Sequence, residues 1–167
     1  MLFLRALLSF LVLPGMIAFA IPLAWLAPGR LFHFDGLFVL VPGVAILLEC
    51  VREFYVNGKG TLAPWDPPRH LVTGGLYRWS RNPMYVGVVL TIVGWAVGLR
   101  SGVVAAYAVA TLLLFHLRVV LYEEPTLARL FPAEWPAYRA RVRRWIGAGH
   151  APEHADLRRR KSGIVDP

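Results

Sequence analysis

Cysteine is nearly missing from this chain: Cys50 is the only one in 167 residues. A single thiol excludes an internal disulfide and any cysteine-based metal cluster, and Cys50 reads as a small apolar residue inside a helix. Carboxylates are scarce as well, ten Asp and Glu against eighteen Lys and Arg, for a pI near 10.4. Gly58-Lys59-Gly60-Thr61 lacks the G-x-x-x-x-G-K-[ST] spacing of a phosphate-binding loop, and no glycine-rich dinucleotide fingerprint follows a strand. His70 has no second histidine or carboxylate at metal spacing, so no metal ligand is assigned anywhere.

What is abundant is apolar surface. Hydrophobic residues make up 57% of the chain and the mean hydropathy is +0.53, too apolar for an ordinary soluble domain. A basic excess can serve nucleic acid or anionic lipid; the long apolar runs favour lipid, and no nucleic-acid partner is expected. About 20 apolar residues cross the hydrocarbon core, and four candidate spans emerge, at about 3–27, 36–56, 83–99 and 103–122. The first competes with a signal peptide, with Ala18-Phe19-Ala20 as the cleavage site, but its apolar run continues past that point. Pro14 and Pro22 are tolerable kinks in a membrane helix. Glu49, Arg52 and Glu53 close the second span on adjacent turns, and a local Glu49–Arg52 pair is the expected arrangement.

From Pro125 the pattern turns amphipathic. Leu127, Leu130, Phe131, Trp135, Tyr138, Val142, Trp145 and Ile146 recur at helical spacing among arginines, which predicts one or two interfacial helices over about 126–146. The stretch 147–167, with Arg158-Arg159-Arg160-Lys161, reads as a disordered basic tail. The expected fold is therefore an all-α polytopic membrane bundle over 1–146. Its orientation follows from charge. With a cytoplasmic N-terminus, only Arg30 and Arg100 fall outside, and the other 16 of 18 basic residues lie on the cytoplasmic side. That predicts an integral protein of an inner or plasma membrane with both termini cytoplasmic.

Candidate chemistry concentrates at that cytoplasmic face. Asn82-Pro83 is a natural helix start, and its free N–H groups, with Arg78 and Arg81 nearby, suit an anion. The fourth span ends in Glu123-Glu124. Acidic groups are unfavourable at a helix C-terminus, so the pair calls for a cation, either Arg118, Arg144 or a bound ligand. His116 lies seven residues before Glu123, hence on the same face.

The ordered set Leu71-Val72-Thr73-Gly74-Gly75-Leu76-Tyr77, Arg81-Asn82-Pro83-Met84-Tyr85-Val86-Gly87, Glu123-Glu124, then Phe131, Glu134-Trp135-Pro136-Ala137-Tyr138 and Arg144-Trp145-Ile146 resembles the isoprenylcysteine carboxyl methyltransferase and phospholipid methyltransferase superfamily of membrane enzymes. The resemblance spans roughly 57–146. It implies S-adenosylmethionine as cofactor, held by Tyr77 and Arg78, by Arg81, Asn82, Pro83, Tyr85 and Gly87, by His116, Glu123 and Glu124, and by Tyr138 and Arg144. Arg81 and Glu123 are the residues to which it gives catalytic roles. Carboxyl methyltransferases typically carry histidine where this chain has Asn82, which points away from prenylcysteine. The expected acceptor is a lipophilic small molecule or lipid, its methylated atom open among carboxylate, amine, thiol and phenol. Two other readings compete: an NADPH-dependent membrane reductase of the sterol-reductase type, and a non-enzymatic membrane assembly protein.

Overall fold

The computed structural model describes residues 11–26, 28–53, 56 and 70–147, with the backbone alone at 11–13 and 25. Arg5, the Gly58-Lys59-Gly60-Thr61 stretch and the basic cluster at 158–161 lie outside the described residues. Every regular element among those described is helical. Helix α1, Leu11–Leu26, is wound with π-type pairing and contains Pro14 and Pro22. A 3₁₀ turn, Phe34–Gly36, leads into α2, Leu37–Glu53. A second 3₁₀ turn, Gly75–Arg78, precedes α3, Pro83–Gly98. Helix α4, Gly102–Arg118, continues through a π-type turn, Val119–Glu123, into α5, Glu124–Leu130; α6 is Trp135–Arg141.

Phe34–Glu53 and Gly102–Leu130 are long and apolar enough to cross a membrane, and Pro14–Ala24 and Pro83–Gly98 are shorter apolar helices. Phe38, Val41 and Leu48 on α2 are exposed, as are Val109, Leu113, Leu114 and Leu117 on α4. In water these side chains would be a large unfavourable surface; in a bilayer they face a solvent of their own kind.

Helix α3 is the centre of the bundle and packs against α1, α2 and α4. Its tightest partner is antiparallel α2. On α3, Gly87, Thr91, Gly94 and Gly98 form one stripe, and it meets Leu47, Gly43 and Leu40 of α2 and Gly36 of the 3₁₀ turn before it, in reverse order. A Cβ on Gly94 would stand 2.5 Å from Leu40 Cβ, and one on Gly43 would stand 2.6 Å from the Thr91 backbone nitrogen. Small residues permit this close backbone approach, where van der Waals contact rather than the hydrophobic effect holds helices together in lipid. Thr91 is fully buried and satisfies its hydroxyl by donating to the Gly87 carbonyl at 2.8 Å.

The α3–α4 connection is a tight one. The Ser101 N–H donates to the Ala96 carbonyl at 3.0 Å and the Arg100 N–H to Val97 at 3.1 Å, a Schellman closure. The position that glycine usually fills is taken by Arg100, at φ 47°. Ser101 then caps α4 through its side chain. The same end of the bundle holds the α1–α2 connection: the His33 N–H donates to Gly98 at 2.7 Å and Arg30 Nη1 to the Arg100 carbonyl at 3.2 Å. Connections 28–36 and 98–101 therefore share one end, and almost all remaining described charge lies at the other.

Two elements depart from expectation. The fourth apolar helix does not stop at 122 but runs on to Leu130 with Glu123-Glu124 inside it. Pro125 cannot donate to a carbonyl one turn back, and it sits at the start of α5, where a missing N–H costs little. The carboxylates thus do not face a helix C-terminus, and the dipole argument for a cationic partner does not apply; the partners found below arise from tertiary contact. The amphipathic stretch, expected as helix to 146, is helical only to Leu130 and again over α6. Residues 142–147 instead form a strap folded back onto the start of α3, with Arg81 N–H donating to the Arg143 carbonyl at 2.9 Å.

The seam gives a direct test. Gly94→Ala should destabilise the protein by about 1–3 kcal/mol through overpacking, whereas Gly102→Ala, with nothing within 4 Å of the added carbon, should leave the unfolding midpoint in detergent near that of the parent. Equal midpoints for both variants would contradict the close-packed seam.

Candidate active site at the start of α3 and the α4–α5 junction

Asn82 precedes α3 with its side chain uninvolved in capping. Its Nδ2 instead donates to the Arg144 carbonyl at 3.0 Å, and its N–H donates to Ser80 Oγ at 3.0 Å. The Ser80 hydroxyl in turn donates to the same Arg144 carbonyl at 3.4 Å. The loop before α3 and the C-terminal strap are therefore stitched together by polar contacts of Ser80, Arg81 and Asn82.

Glu124 lies beneath this stitch. Arg144 reaches it in bidentate fashion, Nε to Oε1 at 2.7 Å and Nη2 to Oε2 at 2.9 Å. Arg81 Nη1 stands 2.9 Å from Oε1. This second approach is an ion pair without hydrogen-bond alignment, since Arg81 Nε and Nη1 are both buried and make no hydrogen bond among the described residues. The Arg81 side chain is 9% exposed and its guanidinium lies over the Trp135 ring at 5.5 Å. Burial, aided by the charge of Arg144, lowers the affinity of Arg81 for its proton, and Glu124 opposes the shift. Arg144 moves the other way, raised by its hydrogen bonds to Glu124.

Glu123 forms a separate cluster. The Tyr85 hydroxyl on α3 donates to Oε1, and Arg118 Nε donates to the same oxygen at 2.8 Å and to the Tyr85 oxygen at 3.2 Å. Tyr85 is stacked on Phe115 of α4, with ring centroids 4.2 Å apart and planes inclined by 24°. Both contacts land on Oε1, so Oε2 of Glu123 is unengaged among the described residues. Arg118 and Glu123 are five residues apart, which ordinary α winding would set roughly 140° apart around the axis. The π-type turn, whose pairing runs i to i+5, brings them to one side. Each glutamate thus has an arginine, Arg118 for Glu123 and Arg144 for Glu124.

Tyr77 and Tyr138 support the site from below. The Tyr138 hydroxyl donates to the Tyr77 carbonyl at 2.9 Å, joining α6 to the 3₁₀ turn. Burial pushes the Tyr77 phenol well up, with Cys50 adding to the shift, and burial does the same to Tyr138; both are neutral donors at physiological pH. Other candidates lie apart from this constellation. Arg78 is exposed and His116 is exposed, its ring stacked on Trp145 at 6.0 Å. Gly87 faces Ile46 and Leu47 of α2, and Pro83 opens α3. The Glu49–Arg52 pair forms as expected, bidentate at 2.8 and 2.9 Å on an exposed face. Trp135, Ser80 and Phe115 were not singled out as site residues from the sequence. The Glu134-Trp135-Pro136 run was a signal for the first, whereas Ser80 and Phe115 gave none.

An apolar helical bundle with a buried, arginine-rich polar site at one end defines an integral membrane protein. A family model, that of phospholipid methyltransferase, matches residues 33–134, and the chain belongs to that family. The match runs from the 3₁₀ turn before α2 to the last residue before α6, and it makes the chain a membrane protein of methyltransferase class. Neither a curated protein nor a solved structure matches.

Glu124→Gln should leave Arg81 buried beside a neutral group. Breaking a buried pair costs about 3–5 kcal/mol, and exposure of Arg144, at 30%, brings the expectation to the lower part of that range. Glu49→Gln, which removes an exposed pair of identical type, should leave unfolding in detergent unchanged. A Glu124→Gln variant as stable as the parent would remove this carboxylate from its structural role.

Proposed function

We propose that this chain is an S-adenosylmethionine-dependent methyltransferase that acts on a lipophilic acceptor held in the bilayer. The observation that carries the reading is Arg81: a guanidinium buried against Trp135 whose Nε and Nη1 make no hydrogen bond among the described residues, although Nη1 is ion-paired with Glu124. Unmatched buried donors are costly, and an anion supplies what they lack. The residues fit the cofactor's chemistry on three counts. Arg81 offers its Nε donor to a carboxylate. Glu123 offers Oε2 to a cation. Trp145, half-buried in the strap, offers aromatic surface for a purine. When bound, the cofactor supplies a methyl group on positively charged sulfur. The chain's own part is positioning and electrostatics, for which no metal is needed.

Within this reading Glu123 and Arg81 line the reacting region, and Tyr85 fixes the Glu123 carboxylate through its hydroxyl. The strap at 142–147 excludes water from the same end of the bundle, which strengthens electrostatic interactions there. The acceptor approaches sideways from the membrane, because polar side chains cluster at one end while α3 offers glycine and apolar groups along its length. The site faces the cytoplasm of an inner or plasma membrane, with four spans and both termini on that side; the motive is the charge split, Arg30 and Arg100 against the remaining basic residues.

Calorimetry on the purified chain should detect S-adenosylmethionine and not NADPH. Arg81→Gln should weaken binding by about 1.5–3 kcal/mol, the worth of a hydrogen bond to a charged group, provided its unfolding midpoint shows a folded protein. NADPH binding without S-adenosylmethionine binding would overturn the reading. Cysteines at Asp35 and His70, in a Cys50→Ala background, should label from opposite sides of the membrane. Shortening the acceptor's alkyl tail should weaken apparent affinity by about 0.8 kcal/mol per CH₂; equal methylation of short, water-soluble acceptors would refute lateral access.

A further inference from the structure

Two arginines compete for one carboxylate at the polar end of the bundle. Arg144 takes both oxygens of Glu124, Nε to Oε1 at 2.7 Å and Nη2 to Oε2 at 2.9 Å. Arg81 Nη1 reaches the same Oε1 at 2.9 Å, but neither its Nε nor its Nη1 makes a hydrogen bond among the described residues. The more buried of the two is the one left over, since the Arg81 side chain is 9% exposed and that of Arg144 is 30% exposed. A guanidinium with less access to water has more to gain from the carboxylate. That the other one holds it must be imposed by the rest of the fold.

The strap imposes it. The Arg144 carbonyl accepts from Asn82 Nδ2 at 3.0 Å and from Ser80 Oγ at 3.4 Å, and the Arg143 carbonyl accepts from the Arg81 N–H at 2.9 Å. The Arg144 backbone is thereby fixed, and its fork meets the carboxylate with two bonds, the arrangement that suits a planar guanidinium. The Arg81 guanidinium lies over the Trp135 ring, 5.5 Å from the centroid. Two positive charges against one negative leave this cluster with one positive charge in surplus.

We infer that Arg144 is a positioning residue for a bound anion: by occupying both oxygens of Glu124 it keeps Nε of Arg81 open, and Ser80 and Asn82 hold it there. The resemblance to known methyltransferases implies direct cofactor contacts for Asn82 and Arg144. The geometry instead spends the Asn82 amide on the strap and the Arg144 fork on Glu124. Without the Arg144 fork, Glu124 turns its oxygens to Arg81, the surplus charge disappears and the donor closes. That the anion is the carboxylate of S-adenosylmethionine rests on the cofactor reading; the competition between the arginines does not.

Nuclear magnetic resonance of the full chain in detergent, with isotope-labelled arginine side chains, tests it. The Arg81 Nε–H resonance is assigned by its loss in Arg81→Lys. In the ligand-free parent it should lie where an N–H without an acceptor lies. In ligand-free Arg144→Gln it should move downfield, as for a hydrogen bond to a carboxylate. Calorimetric affinity for S-adenosylmethionine should fall roughly ten- to hundredfold in the same variant. Arg144→Lys keeps the charge without the two-donor edge, so both effects should be smaller; it keeps the test valid if the glutamine variant does not fold. An Arg81 resonance that stays in place in the folded variants would overturn the proposal even if affinity falls, because Arg144 would then touch the ligand directly. A parent that does not bind S-adenosylmethionine would remove the cofactor reading, and the resonance would still decide the competition.

Discussion

The carboxylate of Glu124 joins three pieces of chain that are distant in sequence. It sits within the α4–α5 helix, accepts two hydrogen bonds from Arg144 in the C-terminal strap and pairs with Arg81 ahead of α3. None of these groups is stable alone in a buried setting. A carboxylate removed from water needs cations, and two guanidiniums removed from water need an anion. Their joint burial is what lets a short strap without helical structure lie against the bundle. The carbonyls of Arg143 and Arg144 in that strap then satisfy Arg81, Ser80 and Asn82, so the ion cluster and the backbone contacts support one another.

The glycine seam delivers the groups to this cluster. Where α3 touches α2 and the 3₁₀ turn before it through Gly36, Gly43, Gly94 and Gly98, the backbones are too close for the register to slide, because a one-turn slip would drive Leu40 or Leu47 into α3. A fixed register sets which residues stand at the polar end. Cys50 packs near Met84, and Glu53 lies against Gly75, whose φ of +51° only glycine adopts readily. The turn that carries Tyr77 is thus located by the last turn of α2, and Tyr77 in turn receives the Tyr138 hydroxyl. Packing in the apolar middle of the molecule and the polar site at its end are one construction.

The balance of charge at that end is positive even after pairing. Glu124 carries two arginines, Glu123 carries one, and Arg78, Arg129, Arg139 and Arg141 are exposed around them. Such a surplus is favourable next to anionic headgroups, and it suits a family whose members work at a membrane.

The sequence alone determined the helical class, the apolar segments and the one-sided distribution of charge, because these depend on composition and on period, which are local. It also determined the start of α3, since Asn82-Pro83 is excluded from continuing a preceding helix, and the Glu49–Arg52 pair, since three residues of α-helix suffice to place it. Tertiary structure decided the rest. Which arginine meets which glutamate depended on a π-type turn that rotates Arg118 onto Glu123 and on a strap that carries Arg144 back across twenty residues, and neither follows from spacing under regular winding. The fourth helix runs past its expected end at 122 because the Glu123-Glu124 pair finds arginine partners through tertiary contact and Pro125, in the first turn of α5, is acceptable in a continuing helix. The amphipathic pattern to 146 was misread for a related reason: Val142, Trp145 and Ile146 keep helical spacing, but the backbone carbonyls there are drawn to Arg81, Ser80 and Asn82. Those long-range hydrogen bonds compete with the helix, and only the folded chain brings the competitors together.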